Sequence, residues 1–156
     1  MASDLTTGVD ALSAARRTLE QMAVEQPIPD ELTVEDIVLV ERDAWNRIRE
    51  SGGVLEAPGH RIYVLSFLGP VPYIRAGRTQ AAQSRIENHV REAHRHLCFL
   101  ADGWVSKARA MDIGGIENAM HRALSTAGGV TLSSREVFHG LDFETAVQVA
   151  QGVLRR

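Results

Sequence analysis

Apolar side chains recur every three or four residues between positions 80 and 111, which is the most regular pattern in the chain. This spacing places them on one face of an α-helix and predicts a single long central helix over residues 80–111. The period is close to 3.5 residues, which suits packing against an equivalent helix. The stripe therefore predicts a self-association interface made by Ile86, Val90, Leu97, Leu100 and Trp104.

Helical spacing recurs in four other parts of the chain, namely residues 9–24, 33–51, 116–127 and 142–154. Pro27 stops the first of these helices, because proline cannot donate a backbone hydrogen bond. The hydroxyl of Thr33 can cap the second, with Asp36 at the third helical position. Asp142 is the predicted cap of the last. With the central helix, the chain has about five predicted helices.

Residues 54–74 break the helical pattern. The run Ile62 to Leu68 is apolar except for Ser66, which is typical of a strand covered on both faces. A short extended segment at 54–57 and a Pro-Gly turn precede it, and residues 69–74 offer a third strand. We therefore predict a β-hairpin or a small three-stranded sheet within an α+β, predominantly α-helical fold.

Composition is that of one ordinary domain: 156 residues, 44% of them hydrophobic, with a net charge of −3. We predict a single domain over 1–156, with a mobile segment at 1–8. Cys98 is the one cysteine, which excludes an internal disulfide and a zinc knuckle, and its apolar neighbours predict a buried, inert thiol. The sequence shows neither a signal peptide nor an apolar run of about 20 residues, so we expect a cytoplasmic location and no membrane contact.

His89, Glu92 and His96 have the pattern H-x2-E-x3-H, which brings all three to one edge of a helix. Imidazole and carboxylate groups bind zinc, and an open coordination position would permit hydrolysis. A fourth ligand could come from Glu117, His121 or His139. The other interpretation, which we adopt, is that these residues border an apolar seam and bind no cofactor. Zinc is then the alternative.

Arg91 and His96 also fit the spacing R-x4-H. This six-residue motif resembles that of a class of helical, metal-independent ribonucleases in which a dimer joins two such pairs. The resemblance implies a helical bundle and a dimeric ribonuclease site. The predicted extended segment at 54–68 departs from such a bundle.

The order of a helix at 33–51 followed by a hairpin at 54–65 resembles the end of a winged-helix DNA-binding domain. This resemblance implies that a recognition helix enters the major groove and that the wing contacts the backbone. The nucleic-acid contacts would then come from Arg42, Arg47, Arg49 and Arg61. The segment 33–51 lacks the internal turn of such domains, and its acidic residues would face phosphate.

No phosphate-binding glycine loop, dinucleotide fingerprint or nucleophile elbow is present in the sequence. We therefore expect a small, non-enzymatic regulatory or adaptor protein that self-associates through the long helix, as a homodimer or with another protein partner. The two alternatives are a metal-dependent enzyme that uses the His/Glu/His edge and a DNA-binding regulator.

Overall fold

A computed structural model describes residues 32–111, 113–131 and 136–155. These ranges contain four helices and four strands. The predicted helix at 9–24 and the predicted mobile segment at 1–8 lie outside the described residues. In chain order the elements are α1 Val34–Gly52, β1 Arg61–Leu68, β2 Tyr73–Thr79, α2 Ala82–Arg95, β3 Phe99–Val105, α3 Gly114–Thr126, β4 Val137–Phe138 and α4 Phe143–Leu154.

The strands form one antiparallel sheet in the order β3-β1-β2-β4. One face carries α1 and α2, and the other carries α3 and α4. The α+β class is therefore confirmed, and so is the expectation that β1 is covered on both faces. Tyr63, Leu65 and Phe67 lie in the core under α1 and α2, while Ile62 and Val64 lie in the core under α3 and α4.

The hairpin differs from its predicted boundaries. Residues 54–57 are not a strand but part of the turn after α1. The hairpin is made by β1 and β2, with Phe67 opposite Tyr73 and Arg61 opposite Thr79. Residues 69–72, expected to begin a third strand, form its connecting loop, because Pro70 and Pro72 have no backbone N–H to donate to a sheet.

The prediction of a single long helix over residues 80–111 is wrong. The helix α2 ends at Arg95, and the chain continues as the strand β3. Leu97 has a φ of 61°, and the N–H groups of Leu97 and Cys98 donate to the carbonyls of His94 and Ala93. These two bonds form the termination pattern in which a left-handed residue reverses the chain. Glycine usually holds that position, so a leucine gave no stop signal.

The close contact between α1 and β3 fixes the position of α1 on the sheet. Gly103 on β3 lies beneath Ile48, and a Cβ atom at position 103 would lie 2.5 Å from Ile48 Cδ1. Only glycine therefore allows this distance. At the start of α1, Thr33 and Asp36 form the reciprocal pair of side-chain-to-backbone bonds predicted from the sequence, at 3.1 and 2.9 Å.

Candidate functional site

The predicted metal ligands do not converge on one point. His89 is buried, and its Nε2 lies 2.9 Å from Tyr63 Oη. Glu92 faces Arg75, with 3.8 Å between Oε2 and the guanidinium. His96 is exposed just beyond the last turn of α2. Glu92 and His96 border one pocket, but His89 is not part of its lining and is bonded to Tyr63, so the three side chains do not meet at one point.

The proposed fourth ligands are also engaged elsewhere. Across the described ranges, no group of three or more His, Cys, Asp or Glu side chains is arranged to hold a metal ion. The observed contacts are Glu117 with Arg78 at 3.1 Å, His121 Nε2 with the Ala76 carbonyl at 2.9 Å, and His139 Nδ1 with the Pro72 carbonyl at 3.2 Å.

His89 belongs instead to a buried hydrogen-bonded chain. Tyr63 Oη donates to Glu136 Oε1 at 2.9 Å, so its other contact at 2.9 Å is a bond received from His89 Nε2–H. Burial, with smaller contributions from Arg75 and Arg85, lowers the pKa of His89 to about 3. Burial and the neighbouring Glu136 raise the pKa of Tyr63. The imidazole and the phenol are therefore both neutral at physiological pH.

This chain fastens the segment before β4 to the sheet. The N–H of Ala76 donates to the Glu136 carbonyl at 2.9 Å, beside the bond from Tyr63. Gly77 makes room for it, because a Cβ there would lie 2.7 Å from both Tyr63 Oη and Glu136 Oε1. Tyr63 and Glu136 are 73 residues apart, so the sequence gave no signal for this network.

The five predicted interface residues do not share one surface. Ile86, Val90 and Leu100 lie in the chain's own core beneath α1 and α2. Trp104 is on β3 and packs, partly buried, toward the opposite face of the sheet. Of the five, Leu97 alone is exposed, with 78% of its surface accessible. The five residues therefore do not lie on one face of one helix, and Leu97 is the one that is exposed.

Arg61, expected at the tip of a wing, is buried. Its guanidinium donates to the carbonyls of Gly52, Val54 and Ser106 at 2.7, 2.7 and 3.2 Å. The bond to Gly52 satisfies an end carbonyl of α1, where positive charge is favourable. Arg61 is therefore a structural residue that holds the end of α1 against β1 and β3.

The other arginines of the winged-helix alternative are on α1, which is one unbroken helix packed on β3. Two of the three side chains pair with carboxylates, and the third lies over an aromatic ring. The contacts are Arg42 with Asp43 at 3.3 Å, Arg47 with Asp102 at 2.8 Å, and Arg49 over Trp45 at 5.4 Å. Because α1 has no internal turn, the helix-turn-helix part of this resemblance is absent.

The described residues also do not form the helical bundle that the ribonuclease resemblance implies. The described fold has a sheet between two pairs of helices, not a helical bundle. Arg91 is hydrogen-bonded to Asn88 on the outer side of α2, while His96 lies past the end of the helix. The two residues of the motif are therefore not neighbours on one helical turn.

A cleft of about 950 Å³ lies at the end of the sheet between α1 and the start of α4. Two charged residues of its lining, Arg47 and Asp102, are bonded to each other at 2.8 Å. A second Arg47 bond reaches the Ala101 carbonyl at 3.0 Å. These charges are therefore already compensated within the protein.

A different surface lies on the other side of α1, where Val34 and Val38 are exposed. We call Val34, Val38 and Leu97 together the apolar patch: the valines are one turn apart on α1, and Leu97 is in the turn after α2 that Glu41 of α1 contacts. Their exposed fractions are 78%, 56% and 78%. Glu41, on the same side of α1 as the two valines, accepts bonds from His94 at 2.8 Å and from the Leu100 N–H at 2.9 Å. The turn that carries Leu97 is thereby attached to α1 on both sides.

Comparison of the chain with protein-family models, with curated proteins and with solved structures gives no match. No helix within the described ranges has the length and apolar character needed to cross a membrane.

Proposed function

We propose that this protein is a non-enzymatic regulatory or adaptor protein that acts by self-association, and that the apolar patch is its interface. The observation that carries the proposal is Leu97. This residue combines a strained backbone with an exposed apolar side chain at a position where glycine would serve the turn better.

Two features of Leu97 are unfavourable for the free energy of the isolated subunit. A left-handed backbone disfavours residues with a Cβ atom by about 1–2 kcal/mol relative to glycine. The side chain also remains in water, although burial of a leucine is worth about 1.5–3 kcal/mol. Strain at an exposed position is typical of a functional contact. Burial of Leu97 against a partner would offset both costs.

The patch is prepared for a partner before binding. Val34 and Val38 are one turn apart on α1, and Val38 is followed three residues later by Glu41 on the same side. The bonds that Glu41 accepts from His94 and from the Leu100 N–H hold the turn with Leu97 against α1. A rigid surface loses little conformational entropy on association.

The partner that fits best is a second copy of this chain. The helix α1 is acidic in its first turn, at Glu35 and Asp36, and carries Arg42 in its middle. In an antiparallel pair with the two-fold axis near Val38, Glu35 of each copy would lie near Arg42 of the other. A two-fold interface repeats every contact twice, so this charge pairing would occur on both sides of the patch.

The test is the oligomeric state of the full chain, measured by sedimentation equilibrium over a wide concentration range. We expect a dimer for the unchanged protein. Leu97→Gly should weaken dimerisation about 100-fold, because two copies each lose a buried leucine. The same variant should stabilise the isolated subunit by about 1 kcal/mol, since the backbone strain is removed.

Val38→Asp should also weaken the dimer, and Val54→Asp is the matched control. Val54 is also exposed, at 70% against 56% for Val38, but lies beyond the other end of α1, so its substitution should leave dimerisation unchanged. A protein that stays monomeric throughout contradicts the proposal. A Leu97→Gly variant that is monomeric but less stable than the unchanged chain also contradicts it. That result would mean that another segment of the same chain, such as residues 1–31, covers the patch.

A further inference from the structure

A small pocket of about 310 Å³ lies between β2, β4 and the last turns of α2. Part of its wall is apolar and comes from Pro70, Val71 and Val137. The remaining wall consists of ionisable side chains, namely Tyr73, Arg75, Glu92, His96, Cys98 and His139. The volume is at the lower end of the range for small-molecule sites.

Arg75 is the group in this pocket whose bonding is incomplete. Its side chain is only 16% exposed, and its ion pair with Glu92 is 3.8 Å long, which is beyond hydrogen-bond distance. Its Nε is fully buried, and among the described residues it has no hydrogen-bond partner. The buried Nε–H has lost water without regaining an equivalent bond, which is unfavourable.

Neighbouring groups do not supply what Arg75 lacks. Tyr63 and His89 are bonded to each other, and Tyr63 donates its proton to Glu136. Glu92 is 50% exposed, so its carboxylate can turn toward water at little cost. An entering anion can therefore take the place of Glu92 beside Arg75.

We propose that this pocket binds a small monocarboxylate, with its carboxylate on Arg75 and a short apolar body against Pro70, Val71 and Val137. The planar fork of a guanidinium matches a carboxylate with two parallel hydrogen bonds. A single arginine with Glu92 close by favours one negative charge over two, and the apolar wall favours a hydrocarbon body. Both features select against inorganic phosphate.

Cys98 takes no covalent part in this binding. Its Sγ lies 3.6 and 3.9 Å from the carbonyls of His96 and Val71, and burial raises the pKa of the thiol. The thiol is therefore in its protonated, weakly nucleophilic form. The pocket holds its ligand through Arg75 and the apolar wall alone.

The test uses the full-length protein and calorimetric titration with hexanoate. Two controls accompany it: hexanamide, which has the same shape without the charge, and inorganic phosphate, which has charge without the apolar body. We expect hexanoate to bind at least tenfold more tightly than either. Equal binding of hexanoate and hexanamide, tighter binding of phosphate, or no binding of hexanoate would overturn the proposal.

Two substitutions locate the site and act in opposite directions. Arg75→Met should weaken hexanoate binding more than tenfold. Glu92→Gln should strengthen it several-fold, because it removes the competing carboxylate from an exposed position of α2 where the fold does not depend on it. If Arg75→Met fails to fold, Glu92→Gln still decides the matter, since unchanged or weaker binding by that variant contradicts the proposed site.

Discussion

Acidification should destabilise this protein through His89. In the folded protein, burial and the nearby Arg75 and Arg85 lower the pKa of His89 to about 3, from an ordinary value of 6.5. The unfolded chain therefore takes up a proton near pH 6.5, while the folded chain takes it up only near pH 3. Stability is complete above the upper value and decreases as the pH falls between the two values.

The size of the effect follows from one proton. Within this window each pH unit changes the free energy of unfolding by up to about 1.4 kcal/mol. Acidification from neutral pH to about pH 5 should therefore remove about 2 kcal/mol through His89 alone. That loss is a large fraction of a typical domain stability of about 5–15 kcal/mol.

The assay is urea unfolding of the full chain at several pH values, followed by circular dichroism, with His89→Gln compared at each pH. The variant lacks the titrating ring but keeps all other histidines and carboxylates, so the difference between the two curves isolates His89. We expect this difference to change by about 2 kcal/mol from pH 7 to about pH 5. Tyr63→Phe keeps the buried imidazole and should retain the pH dependence of the unchanged protein. Parallel curves for the unchanged protein and His89→Gln would refute the reasoning.

The remaining predictions concern stability and use the urea midpoint as the measurement. Gly103→Ala should destabilise the protein by about 1–3 kcal/mol, because the new methyl group would overlap Ile48 on α1. Gly152→Ala is its counterpart: nothing lies within 4 Å of a Cβ in this position of α4, so alanine should stabilise by about 0.5–1 kcal/mol. Arg61→Met should destabilise by about 3–5 kcal/mol, since two buried carbonyls and one partly buried carbonyl would lose their donor. A small effect at position 61 would mean that water can replace the guanidinium.

Local signals in the sequence were sufficient where one interaction decides the structure. Thr33 with Asp36 marks the start of α1, and Asp142 caps α4 by accepting from the Thr145 N–H at 2.8 Å. The unbroken apolar run in β1 likewise indicated a central strand, because only a strand buried on both faces needs apolar side chains at odd and even positions.

Local signals failed between Leu97 and Val105. The strand β3 is buried on both sides over much of its length, so it shows no strict alternation, and its apolar residues fall by coincidence three or four apart. Leu97 occupies a position where glycine is the usual marker of a helix end. Pairing of β3 with β1, from Tyr63 opposite Val105 to Leu68 opposite Phe99, outweighs the helical pattern. That pairing is a long-range interaction, which the spacing of one segment does not contain.

The edge of α2 that carries His89, Glu92 and His96 shows that the spacing of one segment is also insufficient to predict a binding site. His89, Glu92 and His96 do follow one edge, but a helix advances about 1.5 Å per residue, so the two histidines are separated by about 10 Å along its axis. What lies beneath that edge is set by the sheet: Tyr63 under His89, and Arg75 beside Glu92. The register of β1 and β2, which places Tyr63 opposite Gly77, brings these groups under α2. Where a cation would have to bind, His89 therefore faces the phenol of Tyr63, and Glu92 faces the guanidinium of Arg75. A guanidinium with incomplete bonding favours an anion.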